Sequence, residues 1–354
     1  MPNCEDERNA YPVERQKEAT VQETVCGLNA LLENENRTHR HVGYKNSVSR
    51  FHMLTMSKCN QLSNELMNGQ YTPSKGEMHE VFEPKYRITM SSKYRDRIPQ
   101  SSFIQNYYYP EVVPNLSDRN CACIKGRGVD YARNLLKDIL RNAKMTDWCL
   151  KVDMKSYFAS IDHEKLYEEL KPYLKDQWVL SYFQQTVENA SSPVGLDLGS
   201  EVYQLAATSF MNVLDHKLDH STYVRYQDDL IFIGSKVDCW NALKTVREEA
   251  ERLGLTVHEK KTYLQPVTKP IRFLGFTFLR HETGRITLKR NVDRLRNERR
   301  KLKKMKVKEI PIERVEEHYQ SVRAYMKKGS RSDLMKLDKY YNSLFGGVTN
   351  VADS

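Results

Sequence analysis

Two adjacent aspartates, Asp228 and Asp229, stand at the centre of the segment 224–233, with aromatic and β-branched residues on both sides. This pattern predicts a tight β-hairpin that carries the two carboxylates at its tip. Carboxylates crowded at a rigid turn repel each other, and a divalent cation relieves the repulsion. Hard oxygen ligands suit Mg²⁺, with Mn²⁺ as the alternative. Because a solvated acidic turn also fits a lone Asp-Asp pair, the metal interpretation depends on the rest of the chain.

A third carboxylate, Asp153, follows the segment 148–152, in which apolar and polar residues alternate. The alternation predicts a strand with Asp153 near its C-terminal end. Three carboxylates on neighbouring strands would complete a two-metal site for phosphoryl transfer. Asp162, which precedes a predicted helix, is better explained as an N-cap.

Five basic residues fall within thirteen positions, in a stretch that we expect to be extended. They are Lys85, Arg87, Lys93, Arg95 and Arg97. Alternate positions of a strand face one side, so several of these side chains can converge. Such a cluster could bind a triphosphate or a template backbone. Ion pairs with Glu83 or Asp96 are the structural alternative.

From Lys289 onward the chain is predicted to be helical, and this region is strongly basic. Residues 285–308 hold twelve Lys and Arg against Asp293 and Glu298, and the whole chain of 354 residues has a net charge of +10. A localised basic element indicates a polyanionic partner, most often nucleic acid. On charge alone, a solubilising helix face is an equal alternative.

Composition excludes several classes of protein. No apolar run approaches the roughly 18 residues that a membrane span needs, and the acidic N-terminus does not resemble a secretory signal. The seven cysteines are scattered along the chain, which indicates reduced thiols. We therefore expect a cytoplasmic protein that makes no membrane contact.

Several segments follow one another in a recognisable order. They are the strand ending in Asp153, the two-glycine loop 195–199 with its helix, the hairpin 224–233, Lys261-Thr262, residues 273–276 and the basic helices. This order resembles the palm and thumb of bacterial reverse transcriptases of the group II intron lineage, nearest to those of diversity-generating retroelements and phage defence. The resemblance covers most of residues 46–345. It implies an α+β fold, namely a right-hand polymerase with a ferredoxin-like palm, fingers and an α-helical thumb.

The resemblance also divides the chain into domains. Residues 1–45 would form an N-terminal extension and residues 46–147 the fingers. Residues 148–278 would form the palm, with a fingers insertion at about 165–194, and residues 279–354 the helical thumb. The short C-terminal end leads us to expect no intron endonuclease domain.

Roles at the reaction centre follow from the same resemblance. Asp153, Asp228 and Asp229 match the metal ligands. Lys261 matches the lysine that protonates the leaving pyrophosphate, although a solvated lysine fits equally well. Phe158 matches the aromatic gate whose ring clashes with a ribose 2′-OH, although Phe158 or Tyr157 could simply be a core residue.

The remaining roles concern substrate binding. The residues matched to nucleotide binding are Lys85, Arg87, Arg97, Phe158, Leu198 and Gln204. Those matched to the primer grip are Phe273, Leu274 and Gly275, and those matched to the thumb surface against the template–primer minor groove are Arg299, Arg300 and Lys303.

Departures from the family pattern bear on the biological role. Asp197 stands where the family usually has Pro, and Leu198 where many members have Gln. An aliphatic residue at the second position is shared with the diversity-generating enzymes and is associated with relaxed fidelity. Those enzymes usually continue with Ser-Gln, where this chain has Tyr203-Gln204, and the segment 123–126 lacks the usual arginine. These differences favour a divergent defence-type enzyme.

The sequence therefore predicts an RNA-directed DNA polymerase that extends a primer 3′-OH by two-metal catalysis, in an anti-phage system or a retroelement. Its expected partners are an RNA template in the form of a dedicated non-coding RNA, a DNA or RNA primer, deoxynucleotides and an accessory protein. Three alternatives stay open. They are template-independent or homopolymer synthesis guided by a non-coding RNA, an inactive RNA-binding protein on this fold, and a nuclease.

Overall fold

The computed structural model describes residues 19–40, 42–81, 87–190, 192–218, 222–290, 292–327 and 331–346. Contacts divide the chain into two compact units. The first comprises the residues up to Leu116 together with His163–Ala206. The second comprises Ser117–Asp162 and the residues from Ala207 onward. The predicted boundaries of fingers, palm and thumb stay a prediction.

The elements follow in chain order. The N-terminal half contains α1 (Val21–Cys26), α2 (Leu28–His39), α3 (Asn46–His52), α4 (Thr55–Met67), β1 (Glu77–Val81), β2 (Arg87–Ser91), α5 (Tyr94–Phe103), a π-helical turn (Ile104–Val112), α6 (Val129–Asn142), β3 (Trp148–Asp153), α7 (Tyr157–Ser160) and α8 (His163–Leu170). The C-terminal half contains α9 (Gln177–Glu188), α10 (Glu201–Phe210), α11 (Asn212–Lys217), β4 (Tyr223–Tyr226), β5 (Asp229–Gly234), α12 (Lys236–Arg252), β6 (Tyr263–Pro266), β7 (Ile271–Phe273), β8 (Phe276–Arg280), β9 (Ile286–Arg290), α13 (Val292–Val307), α14 (Ile312–Lys327) and α15 (Arg331–Phe345).

The first unit is mainly helical and carries the antiparallel hairpin β1–β2, in which Glu77 pairs with Ser91 and Val81 with Arg87. The prediction of an extended basic stretch is correct for β2 and wrong beyond it, because Arg95 and Arg97 lie on α5. Arg95 forms an ion pair with Glu65. On a helix the two arginines cannot converge by the alternation that a strand would impose.

The second unit is built on a four-stranded antiparallel sheet in the order β4-β5-β3-β6. Helices α10 and α11 come between β3 and β4 in the chain, and α12 comes between β5 and β6. This βαββαβ arrangement is the ferredoxin-like palm that the sequence predicted. Apolar side chains from the sheet and α6 form its core, among them Leu136, Leu140, Cys149, Val224, Ile231 and Ile233.

A smaller sheet, β7-β8-β9, continues the second unit. Its residues Phe273, Phe276 and Phe278 belong to the same core as the palm strands. The basic helix predicted from Lys289 begins only at Val292, because residues 286–290 pair with β8 as a strand. Helices α13, α14 and α15 share a separate apolar cluster that includes Leu302, Val315, Leu337 and Tyr341.

Two expectations from composition, which concern membrane spans and reduced cysteines, can be compared with the described residues. None of their helices is long and apolar enough to span a bilayer. Their cysteines are all free thiols, and burial raises the pKa of Cys121 to about 12 and of Cys239 to about 11. These thiols are therefore protonated, structural groups at neutral pH.

Candidate active site

The Asp-Asp hairpin forms as predicted. Strands β4 and β5 pair so that Tyr226 faces Asp229, which leaves a two-residue turn made of Gln227 and Asp228. Gln227 has a φ of 55°, a left-handed conformation that suits the tight turns of twisted hairpins. Asp228 thus sits at the tip, and Asp229 begins β5.

Asp153 meets this turn across the sheet. In the pairing of β3 with β5, Asp153 lies directly opposite Asp229, so the two side chains leave the same face of the sheet. The Asp153 side chain is 15% exposed and that of Asp229 is 21% exposed. The second unit therefore brings the three predicted carboxylates to one end of the palm sheet.

Two lysines neutralise part of this negative charge. Lys151 Nζ lies 3.0 Å from Asp229 Oδ1 and also donates a hydrogen bond of 2.8 Å to the carbonyl oxygen of Arg272. Lys261 Nζ donates to Asp153 Oδ1 at 2.8 Å. The structure thus brings the predicted Lys261 to the carboxylates, where it acts as a counter-ion to Asp153.

Burial dominates the acid–base properties of the turn. It raises the pKa of Asp228, and the nearby Asp153 carboxylate raises it further. Burial also raises the pKa of Asp229 to about 6, although the Lys151 ammonium opposes the shift. Both groups are easier to protonate than ordinary aspartates, and perturbed pKa values of this kind are common at functional sites.

The donor chemistry of this site fits a hard divalent cation. Three carboxylates would supply oxygen ligands. Among the residues that the structure describes, none donates a hydrogen bond to the buried Oδ1 of Asp229, although the Lys151 ammonium is close to it. Within the described ranges, no three His, Cys, Asp or Glu side chains converge on a common point. A cation would therefore require Asp153 and Asp229 to turn away from their lysines.

This electrostatic balance predicts a pH dependence. Because the pKa of Asp229 is about 6, the primer extension that the sequence predicts should slow at limiting Mg²⁺ as the pH drops through about 6, where protons compete with the metal. Lys151→Met removes the cation that lowers this pKa, so the acidic limb of the profile should move to higher pH, by about one unit. The measurement is kcat/KM for primer extension between pH 5 and pH 8.

Two further variants serve as controls for this pH profile. Lys151→Arg should restore the profile, and Lys155→Met, which removes an exposed lysine just after β3, should leave it unchanged. An unshifted limb in Lys151→Met would contradict the assignment.

The two adjacent aromatic residues after β3, Tyr157 and Phe158, differ in burial. Tyr157 is buried and its hydroxyl donates to the Ala207 carbonyl at 2.5 Å. Phe158 is only half-buried, with its ring edge-on to that of Tyr157 at 5.8 Å. Tyr157 is therefore the core residue of the two, whereas part of the Phe158 side chain is accessible to solvent.

The predicted primer grip is a second tight turn. Strands β7 and β8 pair with Phe273 opposite Phe276, so Leu274 and Gly275 form a two-residue loop. Both have positive φ values, 46° and 80°, which is unusual for leucine. Phe273 is buried in the core and Gly275 is exposed. Only the backbone and the Leu274 side chain are thus available at the surface.

The three predicted thumb residues differ in their surroundings. Arg300 and Lys303 are exposed on α13. Arg299 packs on α15, where Nη2 donates to the Lys336 carbonyl at 3.0 Å and the guanidinium lies 5.2 Å from the Tyr340 ring centre. Arg300 and Lys303 are the better candidates for contact with nucleic acid.

Among the predicted nucleotide-binding residues of the first unit, Arg97 lines a small polar cavity. Arg97, whose Nε donates to the Ser92 carbonyl at 3.0 Å, lines a cavity of about 240 Å³ together with Gly199 and Ser200 at the start of α10. Ser200 Oγ is buried and has no hydrogen-bond partner in the part of the chain that the structure describes.

The other predicted nucleotide-binding residues of the first unit are Leu198, Gln204, Arg87 and Lys85. Leu198 is half-buried and accepts a hydrogen bond from the Met90 amide at 3.0 Å, and Gln204 lies within α10. Arg87 begins β2, while Lys85 lies outside the described residues.

Sequence reasoning missed three charged residues of the second unit. Lys151 lies on the face of β3 that carries Asp153, and its position two residues before that aspartate could have indicated this. Arg225 in the middle of β4 and Asp215 on α11 form a fully buried ion pair. The signal for the pair was a charged residue inside an apolar strand, which must find a partner when buried.

Comparison with known proteins identifies relatives of this chain. Residues 79–278 match the family described as "Reverse transcriptase (RNA-dependent DNA polymerase)". The "Putative COX1/OXI3 intron 1 protein" of Saccharomyces cerevisiae is 23% identical, and the match covers 63% of this chain and 34% of that protein. The chain thus spans about a third of the length of this curated relative.

Two solved structures of telomerase from Candida tropicalis are also similar. The apo telomerase superposes with a TM-score of 0.46 at 12% identity, covering 66% of this chain and 53% of that one. The form truncated from its C-terminal domain gives a TM-score of 0.43 at 15% identity, covering 67% and 60%. The family match, together with the ferredoxin-like palm, confirms the predicted α+β right-hand polymerase fold.

Proposed function

The chain belongs to the reverse transcriptase (RNA-dependent DNA polymerase) family, and from this premise we propose that it extends a primer 3′-OH with deoxynucleotides copied from an RNA template. The observation that carries the proposal is the pairing of Asp153 with Asp229 at the base of the Asp228 turn. A polymerase needs carboxylates at this place, whereas a protein that only binds RNA has no use for three crowded negative charges.

In this proposal Asp153, Asp228 and Asp229 hold Mg²⁺, or Mn²⁺ in its place. When bound, the metal lowers the pKa of the primer hydroxyl and stabilises charge on the phosphates and the leaving group. The protein supplies the rest. Lys261, released from Asp153, is the proton donor to the leaving pyrophosphate, and Phe158 excludes a ribose 2′-hydroxyl. Basic residues of the first unit, Arg97 among them, neutralise the triphosphate.

The primer and template are held by other parts of the chain. The loop of Leu274 and Gly275 positions the primer end through its backbone, and Lys151 links this segment to the site because it contacts both Asp229 and the Arg272 carbonyl. The exposed Arg300 and Lys303 contact the phosphates of the template–primer duplex.

The biological role that we propose is a bacterial anti-phage system or retroelement, in the cytoplasm, with a dedicated non-coding RNA and an accessory protein. Leu198 supports this assignment, since an aliphatic residue there resembles the diversity-generating enzymes.

The test is to sequence the nucleic acid that co-purifies with the protein expressed from its own locus, with Asp228→Ala as the comparison. We expect complementary DNA from one neighbouring RNA in the wild type and none in the variant. Homopolymers or short repeats would indicate synthesis that is not templated in the ordinary way. RNA bound equally by both proteins, with no DNA in either, would replace the polymerase proposal by an RNA-binding function.

A further inference from the structure

A buried ion pair lies directly behind the Asp228 turn. Arg225 on β4 and Asp215 on α11 are both fully inaccessible to solvent. Arg225 Nε donates to Asp215 Oδ1 at 2.6 Å, and Nη2 donates to Oδ2 at 2.5 Å. The Tyr223 hydroxyl donates to Asp215 Oδ1 at 2.7 Å. Because removing two charges from water is unfavourable, a pair of this kind is weak evidence for stability and is better examined for what else it holds in place.

The remaining guanidinium hydrogen bonds reach the turn and the helix beside it. Arg225 Nη1 donates to the carbonyl oxygen of Gln227 at 3.0 Å, and Nη2 donates to the carbonyl oxygen of Thr208 at 2.9 Å. Gln227 Nε2 in turn donates to Thr208 Oγ1 at 2.8 Å. The first residue of the turn is thus tied through both its backbone and its side chain.

The backbone of Arg225 is fixed as well. Its amide donates to the Arg119 carbonyl at 2.9 Å, and its own carbonyl accepts from the Cys121 amide at 2.9 Å. Asn120, which lies between them, is buried and donates from Nδ2 to the Thr208 carbonyl at 2.9 Å. Strand β4 therefore cannot slide relative to β5 without breaking bonds on both of its edges.

We propose that Arg225 and Asp215 are positioning residues that set the backbone of Gln227 and, through it, the direction of Asp228 and Asp229. The guanidinium is a rigid planar fork that can hold a carboxylate and a backbone carbonyl at once. Gln227 has a left-handed φ of 55° without being glycine, and such a conformation persists when its surroundings determine it. The inference rests on the proposed polymerase function.

The first test separates positioning from simple stabilisation. Arg225→Lys keeps a positive charge opposite Asp215, but one ammonium cannot replace the fork. We expect kcat for primer extension to fall about 100-fold, as for a misplaced reacting group, while KM for deoxynucleotide and the Kd for primer–template stay within about twofold of wild type. Lys217→Met, which removes an ion pair of the same helix α11 with Glu249, should keep the wild-type kcat.

The second test removes the polar network without leaving a buried charge. The triple variant Asp215→Leu, Tyr223→Phe, Arg225→Met replaces it by apolar side chains, a change that often preserves stability. We expect a folded protein with low kcat and with faster amide exchange confined to the peptide that covers residues 223–230. If the pair serves only stability, this variant should regain both wild-type kcat and wild-type exchange.

The outcomes are distinguishable from a failure of the polymerase proposal. A kcat within about threefold of wild type in Arg225→Lys, with unchanged exchange at the turn, would overturn the inference even if the triple variant fails to fold. If the wild-type protein itself makes no DNA, the polymerase proposal fails, and the exchange measurement in metal-free protein still decides whether Arg225 holds the turn.

Discussion

Asp228→Asn is expected to reduce DNA synthesis by at least about 10³-fold, since a metal ligand supplies several kcal/mol of transition-state stabilisation. The same variant should unfold at a temperature no lower than the wild type at pH 7. Burial raises the pKa of Asp228, so the folded protein binds this proton more tightly than the unfolded chain does. Such a carboxylate lowers stability once the pH exceeds its unfolded pKa, and the neutral amide removes that cost.

The measurements are single-turnover primer extension and thermal unfolding, both at pH 7 with and without Mg²⁺. Asp138→Asn is the matched control, because Asp138 is an exposed carboxylate on α6 that forms an ion pair with the neighbouring Arg141, and it should change neither quantity. Mg²⁺ should raise the unfolding temperature of the wild type and have less effect on Asp228→Asn. A variant that loses activity and stability together would show instead that Asp228 has a structural role.

The sequence signal for the candidate site was a local conflict between burial and solvation. An apolar strand indicates burial, whereas a pair of aspartates indicates solvation. Asp228-Asp229 lies between two apolar strands, so the two local signals conflict. The alternation before Asp153 and the hairpin pattern then located the strands, since a period of two is clear when one face is buried. Cross-strand register brought Asp153 opposite Asp229, which spacing along the chain could suggest but not establish.

The same reasoning was wrong at α5 for a physical reason. Every residue from Ile98 to Phe103 is buried, so this helix shows no apolar stripe with a 3.6-residue period. It also contains Pro99, which usually marks the end of a helix. A helix buried on most of its surface looks like an irregular or extended segment in the sequence alone.

The sequence also did not show which residues the charged side chains of the site pair with. Lys151 and Asp229 are 78 positions apart, and Lys261 and Asp153 are 108 apart. Such pairs depend on strand order, which the sequence determines only through the complete fold. Lys151 therefore emerged as part of the site only with the sheet topology. Lys261 was expected there from the family resemblance, and the structure adds its partner, Asp153.

Phe158→Ala is expected to relax discrimination against ribonucleotides. Phe158 is half-buried, and if it is the proposed gate, removal of its ring opens room for a 2′-hydroxyl. We expect the ratio of kcat/KM for dNTP to that for rNTP to fall by roughly 10- to 100-fold, the range that a change of pocket size can supply. The loss should come from faster rNTP use, with kcat/KM for dNTP nearly constant. Single-nucleotide extension with each substrate measures the ratio.

Tyr157→Phe provides the matched control, because Tyr157 is the neighbouring aromatic residue but belongs to the core. Losing its hydrogen bond to the Ala207 carbonyl should lower stability by about 1 kcal/mol and leave the ratio unchanged. If Phe158→Ala lowers stability and keeps full discrimination, Phe158 is a packing residue. In that case the gate must be sought elsewhere, and Leu198, which is also half-buried, becomes the next residue to vary. Comparison of the Phe158 and Tyr157 variants thus distinguishes an effect on the packing of the palm from an effect on the discrimination between deoxyribose and ribose.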